Sequence, residues 1–230
     1  MKLQNLCLAA LVALKIAGSA QAATACADLL PGTVIGNAQI INARTVNGTI
    51  AGAGQQKVEA MPDFCRVLAR AKPEPASHVL IEVWLPVPEK WNGKLLGIGN
   101  GGAAGVIQLG PLGAGVKRGY VSVDTDMGMW PSTANNAEFL VGIGRPEVVK
   151  DFGHRATHEA AILAKELALR HYGKPARKAY FTGCSTGGQQ ALMEAQRYPD
   201  DYDGIIAGAP ANNRTHLHTM LAALAIFLDR

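Results

Sequence analysis

The chain has 230 residues, of which 48% are hydrophobic and 17% are charged, and its formal net charge is +4. This composition excludes disordered, collagen-like and coiled-coil chains and leaves one globular domain with a sizeable core. The charge falls to +2 if residues 1–22 are removed, because Lys2 and Lys15 leave with them. So small a charge gives no reason to expect nucleic acid or a membrane as a partner.

Residues 1–22 are predicted to be an export signal peptide. Lys2 is followed by the apolar run Leu6–Leu14 and then by small residues in the pattern that a signal peptidase cleaves. The mature chain would begin at Ala23 and be secreted or periplasmic. Two alternatives stay open: a buried N-terminal helix, and a lipoprotein that carries its lipid on Cys26.

The rest of the chain is predicted to be an α/β domain, residues 23–230. In chain order we expect β-rich segments at 33–46 and 64–71, strands at 78–85, 94–98 and 119–124, a helix through 156–167 that stops at Gly173, a strand at 178–182, a helix at 186–197, a strand at 204–209, and a helix with one apolar face at 217–228. Strands that alternate with helices after residue 90 predict a mainly parallel sheet covered on both faces. An antiparallel N-terminal meander would precede it.

Export changes how the cysteines are interpreted, because the compartment is then oxidising. Cys26 and Cys65 flank the strand-rich N-terminal segment and are predicted to form a disulfide. Cys184 is left unpaired. The alternative is that all three thiols are reduced and merely buried.

One sequence motif indicates a catalytic residue. Gly183-Cys184-Ser185-Thr186-Gly187 matches G-x-S-x-G between a predicted strand and a predicted helix. In a nucleophile elbow of this kind, the flanking glycines let helix and strand approach closely, and the serine hydroxyl projects from a sharp turn at the sheet edge. Ser185 is therefore the candidate nucleophile of an acyl-transfer reaction.

Such a nucleophile needs hydrogen-bond donors for the oxyanion that forms when it attacks a carbonyl group. The backbone N–H of Thr186 is the first predicted donor. The second would come from the loop after an earlier strand, where Gly101 and Gly102 are both candidates.

The same loop supports a different class of protein. Gly99-x-Gly101-x-x-Ala104 fits a dinucleotide-binding fingerprint, and Asp124 ends the following predicted strand where a ribose-binding acid would lie. However, residues 104–118 contain so many glycines that we expect a poor helix there, without the N-terminal dipole that a pyrophosphate needs. We therefore expect no dinucleotide cofactor.

The histidines do not suggest a metal centre. His154 and His158 are one helical turn apart, but Arg155 stands where a zinc-protease motif requires glutamate. His216 and His218 follow the last predicted strand too soon to be the base of an α/β-hydrolase. We therefore expect no resident metal and no general base from these pairs.

Three segments resemble the tannase and feruloyl esterase family of α/β-hydrolases. They are Asp151-Phe152-Gly153-His154-Arg155-Ala156-Thr157-His158, the elbow at 183–188, and the stretch from Tyr198 to Ala211. The resemblance implies a secreted serine esterase that cleaves small-molecule esters of aromatic or phenolic acids, such as galloyl or feruloyl esters. It implies no cofactor other than a structural calcium ion in the lid domain of the family.

The chain also departs from that family. In the family, the cysteine before the nucleophile is bridged to a cysteine beside the catalytic histidine; Cys184 matches the first, but the second, the histidine and the triad acid have no counterpart here. The lid domain has none either. We therefore expect the N-terminal part of a longer enzyme, inactive alone. The alternative is a non-catalytic exported binding protein that keeps the elbow only as architecture.

Overall fold

The structure is a computed structural model in which residues 23–52, 56–102, 105–129 and 142–228 are described. The predicted signal peptide, residues 1–22, lies outside the described residues. The described strands form one eight-stranded sheet in the order β1-β2-β3-β4-β6-β5-β7-β8. The strands are β1 Val34–Ile35, β2 Ala38–Ala51, β3 Lys57–Ala71, β4 Val79–Pro86, β5 Lys94–Ile98, β6 Val121–Thr125, β7 Lys178–Cys184 and β8 Gly204–Gly208.

The N-terminal half of the sheet is the predicted antiparallel meander. β1 to β4 pair with their neighbours along the chain. The two long strands β2 and β3 pair from Ala38 opposite Ala71 to Ala51 opposite Lys57, with register shifts after Ile40 and on both sides of Gly48. β6 then pairs antiparallel with β4, and its other edge joins the parallel half.

The parallel half places the motif loops side by side. β5 lies between β6 and β7, and β7 pairs with β8, all in parallel. Ile98, the last residue of β5, is paired with Thr182 of β7. Because the carboxyl ends of parallel strands meet at one edge of a sheet, the loop after β5 and the turn after β7 lie together.

The helices are α1 Leu109–Lys117, α2 Pro146–Lys150, α3 Ala156–Tyr172, α4 Thr186–Arg197 and α5 Arg214–Leu228, with a π-helical turn at Asp151–Arg155 between α2 and α3. α3 ends as predicted, since Gly173 adopts a left-handed conformation with φ 67°. The expectation of a poor helix in residues 104–118 is wrong, because α1 forms there. Its apolar side chains, Leu109, Leu112 and Val116, are buried, and this packing outweighs the low helix propensity of its glycines.

The core lies on both faces of the sheet. One cluster joins α1 to Phe64 and Trp84, which stack with ring centroids 4.5 Å apart. The other, larger cluster joins α3 and α4 to strand residues that include Val83 and Phe181. Alternate residues of β4 thus point into different clusters, which confirms the predicted α/β architecture with helices on both faces.

The predicted disulfide between Cys26 and Cys65 is present, with Cα atoms 5.6 Å apart. Cys184 is a free, exposed thiol. Among the described helices, we find none that is both long enough and apolar enough to cross a membrane.

Candidate active site

Ser185 occupies a strained turn between β7 and α4. Its backbone has φ 60° and ψ −117°, a combination that is unfavourable for any residue with a side chain. The turn is fixed by hydrogen bonds: the Ser185 N–H donates to the Gly208 carbonyl at 3.0 Å, and the Ser185 carbonyl accepts from the Ala211 N–H at 2.9 Å. The residue is exposed. The sequence therefore builds the predicted elbow, with the hydroxyl at the carboxyl edge of the sheet.

Glycines make the sharp turn possible. A Cβ on Gly183 would lie 2.3 Å from the Gly187 carbonyl oxygen, and a Cβ on Gly99 would lie 2.6 Å from the Gly187 Cα. A Cβ on Gly188 would lie 2.5 Å from the Gly208 carbonyl oxygen. Since no real side chain tolerates such distances, the backbones of β5, β7 and α4 can touch only because these positions are glycine.

The loop after β5 contacts the elbow directly. The Thr186 hydroxyl donates a hydrogen bond to the Gly102 carbonyl, and Gly102 has a left-handed φ of 57°. Thr186 is buried, whereas Gly101 and Gly102 are exposed. The structure thus brings Ser185, Thr186 and the two glycines to one place.

A buried amide pair, which the sequence analysis missed, holds this loop. The Asn100 N–H donates to Gln190 Oε1 at 3.0 Å, and Gln190 Nε2 donates to Asn100 Oδ1 at 3.1 Å. Asn100 Nδ2 also donates to the Thr125 carbonyl at 2.8 Å. Both amides are nearly inaccessible to solvent, so these bonds fix the β5 loop against α4. One weak signal was available: Gln190 is a polar residue one turn after Thr186 on a helix face that becomes buried.

Asp124 has a structural role in the turn before α1. Its buried carboxyl group accepts hydrogen bonds from the Gln108 N–H at 2.6 Å and the Thr125 N–H at 2.8 Å. Burial raises its pKa to about 8, against these backbone bonds, which lower it. One reason for expecting no dinucleotide cofactor, the lack of a helix in residues 104–118, is wrong, since α1 does form. However, α1 begins only at Leu109, and the Asp124 carboxyl group is hydrogen-bonded to the residue before it, Gln108.

The histidine pair on the π-turn and α3 contacts the segment after α4. His154 Nδ1 lies 2.6 Å from the Tyr198 hydroxyl, and His158 Nδ1 lies 2.6 Å from Asp201 Oδ2. Burial lowers the pKa of His154, whereas the hydrogen bond to Asp201 raises that of His158. In the described part of the chain, no group of three or more His, Cys, Asp or Glu could hold a metal ion.

No described histidine contacts Ser185. His216 is exposed and its side chain has no hydrogen bond with a described residue, and the side chain of His218 lies outside the described part. The Ser185 hydroxyl likewise has no hydrogen-bond partner among the described residues.

A mixed sheet with helices on both faces, together with a strained serine between a parallel strand and a helix, defines the α/β-hydrolase class. The model of the family "Tannase and feruloyl esterase" matches residues 65–226. The chain belongs to this family, as its three sequence segments predicted.

Curated relatives with similar sequences are named feruloyl esterases. The chain is 42% identical over 137 residues to a probable feruloyl esterase of Arthroderma benhamiae, a match that covers 58% of this chain and 25% of that protein. It is 37% identical over 168 residues to feruloyl esterase B of Aspergillus niger, covering 73% of this chain and 31% of that protein. The chain thus spans about a third or less of the relatives that it matches.

Solved structures show the same fold. Feruloyl esterase B from Aspergillus oryzae superposes with a TM-score of 0.69 at 32% identity, over 78% of this chain and 35% of that one. An esterase from the same species gives a TM-score of 0.70 at 30% identity, over 80% of this chain and 36% of the other.

Proposed function

We propose that this chain carries the nucleophile half of a serine esterase that hydrolyses small-molecule esters of aromatic or phenolic acids. The observation that carries the proposal is the backbone of Ser185, held at φ 60° and ψ −117° with an exposed side chain. A strained, solvent-facing serine at a strand-to-helix turn is the arrangement of the nucleophile elbow in α/β-hydrolases. Membership of a family whose relatives are named feruloyl esterases supports the substrate class.

In the proposed reaction, the Ser185 oxygen attacks the ester carbonyl carbon and loses its proton to a base. The resulting oxyanion accepts hydrogen bonds from the Thr186 N–H and from an N–H of the Gly101–Gly102 segment. The carbon–oxygen bond to the alcohol then breaks, the alcohol leaves with a proton, and water hydrolyses the acyl-serine to the free acid. The base and its acid partner would come from outside the described residues.

The proposal includes export and no cofactor. The signal-like residues 1–22 and the Cys26–Cys65 disulfide support a secreted or periplasmic location, because disulfides persist in oxidising compartments. Serine acyl transfer needs no cofactor, and any structural calcium would belong to a lid domain outside this chain. The expected partner is the ester alone, without nucleic acid or membrane.

The test is Ser185→Ala in the full-length protein that carries this chain. Turnover of methyl ferulate should fall by several orders of magnitude, because the acyl-enzyme cannot form, while circular dichroism stays unchanged. Thr49→Ala, which removes an exposed hydroxyl on the distant strand β2, is the control and should keep full activity.

A fluorophosphonate probe separates an enzyme from a binding protein with the same architecture, because only an activated serine reacts with it. Labelling of the full-length protein should disappear in Ser185→Ala. Activity within about tenfold of the parent in that variant would refute the role of Ser185.

A further inference from the structure

A half-buried arginine lies beside the elbow. Arg214, the first residue of α5, donates from Nε to Gln189 Oε1 at 2.6 Å and from Nη2 to Thr186 Oγ1 at 3.0 Å. Its guanidinium carbon lies 5.6 Å from the centre of the Phe152 ring. Three elements, α4, α5 and the π-turn, therefore hold this one cation next to the residue that follows Ser185.

Arg214 has no counter-charge among the described residues. Two other arginines that are largely shielded from solvent are paired with carboxylates: Arg155 with Asp151 and Glu147, and Arg66 with Glu82. Both described hydrogen-bond partners of Arg214 are neutral. Burial lowers the pKa of Arg214, and no nearby charge offsets that effect. A desolvated cation without an anion is costly unless a ligand supplies one.

The surroundings of Arg214 add to the positive potential. α4 begins at Thr186 and α5 begins at Arg214, so the positive ends of two helix dipoles lie at this point. Neither helix has an acidic residue in its first turn. The usual means of neutralising a helix N-terminus is thus missing at both.

The contacts connect this charge with the reacting centre. Thr186 Oγ1 accepts from Arg214 and donates to the Gly102 carbonyl, so Arg214, Thr186 and the loop of the proposed oxyanion site form one chain of hydrogen bonds. Two of the five guanidinium N–H groups are used in the bonds to Gln189 and Thr186. The others have no hydrogen-bond partner among the described residues and remain for a ligand.

We propose that Arg214 recognises a carboxylate on the substrate, so that the preferred ester is an aromatic ester that carries a free carboxylate. The proposal rests on the proposed esterase function and adds the charge of the substrate to it. A guanidinium fork matches the two oxygens of a carboxylate, and its rigid hold by Thr186, Gln189 and Phe152 presents it in one orientation. The carboxylate could belong to the acid half or to the alcohol half of the ester.

The experiment compares two charged esters, each with a neutral match, in the full-length protein that carries this chain. The first charged ester is the monomethyl half-ester of an aromatic dicarboxylic acid, with the corresponding dimethyl ester as its neutral match. The second is an ester of ferulic acid with a hydroxy acid, with methyl ferulate as its neutral match. The ratio of kcat/KM for each charged ester to that for its neutral match is measured in the parent, in Arg214→Gln and in the control Arg44→Gln. Arg44 is an exposed cation on β2, far from β7 in the sheet order.

We expect at least one charged ester to be preferred by about tenfold or more in the parent, mainly through a lower KM, and the preference to vanish in Arg214→Gln. The glutamine keeps hydrogen-bonding capacity beside Thr186 but removes the charge. Arg44→Gln should keep the preference. Whichever charged ester is preferred shows which half of the substrate carries the carboxylate.

Two results would overturn the inference while leaving the esterase function intact. One is equal preference for charged and neutral esters in the parent. The other is an Arg214→Gln variant in which kcat falls by the same factor for every ester, because that pattern means that Arg214 only stabilises the oxyanion. If none of the esters is turned over and no fluorophosphonate labelling occurs, the proposed function itself fails.

Discussion

Glu194 on α4 carries a carboxyl group that is fully buried. Neither of its oxygens has a hydrogen-bond partner at bonding geometry among the described residues, and its polar neighbours are Thr157, Asp201 and His158. Burial, with the nearby Asp201 carboxyl group, raises the pKa of Glu194 above its ordinary value of 4.5. Glu194 therefore stays neutral in the folded protein at a pH where it ionises in the unfolded chain.

A pH-dependent loss of stability follows. Because the folded state binds the proton more tightly, the favourable contribution of Glu194 is complete below about pH 4.5 and is lost as pH rises through the raised folded pKa. Glu194→Gln removes the ionisation and keeps the shape. As the pH rises from 5 to 9, we expect the free energy of unfolding of the variant to increase relative to that of the parent by about 1 kcal/mol or more. Urea unfolding followed by circular dichroism at the two pH values measures this change.

The exposed Glu89 provides the control, since Glu89→Gln should show no such change between the two pH values. A constant difference between Glu194→Gln and the parent at pH 5 and pH 9 would mean that Glu194 ionises equally in both states.

At the level of single residues, the sequence predicted the residues of the local elbow motif. It did not predict hydrogen bonds between residues that are far apart in the chain. Ser185, Thr186 and the glycines of the elbow follow from five consecutive residues and their flanking elements. Asn100 and Gln190 are 90 positions apart, and their hydrogen bonds exist only because β5 and β7 are neighbours. Arg214 meets Thr186 for a similar reason, since the turn after β8 returns the chain to the elbow.

The first described segment of the chain is an element without regular secondary structure of its own, apart from one short turn of 3₁₀ helix at Cys26–Asp28. It is fixed at two points. The disulfide joins it to β3, and the Thr24 backbone bonds to α3, where its N–H donates to the Arg170 carbonyl at 2.8 Å. The disulfide therefore attaches an irregular segment to the centre of the meander.

Removing this disulfide should lower the free energy of unfolding. The bridge spans 39 positions, and the loss of loop-closure entropy in the unfolded chain corresponds to about 4 kcal/mol in the chain-entropy model. We expect the double variant Cys26→Ala, Cys65→Ala to unfold at a clearly lower urea concentration than the parent, with Cys184→Ala as the matched control.

Thiol counting checks the pairing independently. A chain that begins at Ala23 should show one reactive thiol under denaturing, non-reducing conditions, that of Cys184. Three reactive thiols would contradict the bridge.

Most elements were predictable because their hydrophobic patterns are local. β5 and α4 have the predicted bounds, and the other predicted strands and helices occur with shifts at their ends. α1 was not predicted, since four of its nine residues are glycine or proline. Gly113 shows why they are tolerated: a Cβ there would lie 2.8 Å from a Val58 side-chain atom, so close packing on the sheet needs a residue without a side chain.

On the scale of the whole molecule, α5 and the edge strand β8 carry exposed apolar side chains. Met220, Leu224, Phe227 and Leu228 of α5 are each about half exposed or more, and Ile206 on the edge strand β8 is 68% exposed. Exposed apolar residues concentrated in this way are typical of surfaces that pack against further protein. The sequence predicted the apolar face of α5.

We expect the polypeptide of residues 23–230, purified alone, to have no appreciable esterase activity. A serine hydroxyl is a weak nucleophile without a base to take its proton, and no described histidine lies at Ser185. Assays with p-nitrophenyl esters and methyl ferulate would test this, with the full-length protein as the positive control. Turnover by the monomer that Ser185→Ala abolishes would show that the polypeptide holds its own base, with His216 and His218 as the candidates.

The sheet order also determines the sequence in which the protein can assemble as it is synthesised. β2, β3 and β4 each find a partner among strands already made, so the meander can form while the ribosome is still translating the rest. β5 differs, because both of its neighbours, β6 and β7, come later in the chain. A nascent polypeptide that ends before Val121 therefore holds β5 without a partner strand. The close contact of β5, β7 and α4 that positions Ser185 can form only after β7 has been made.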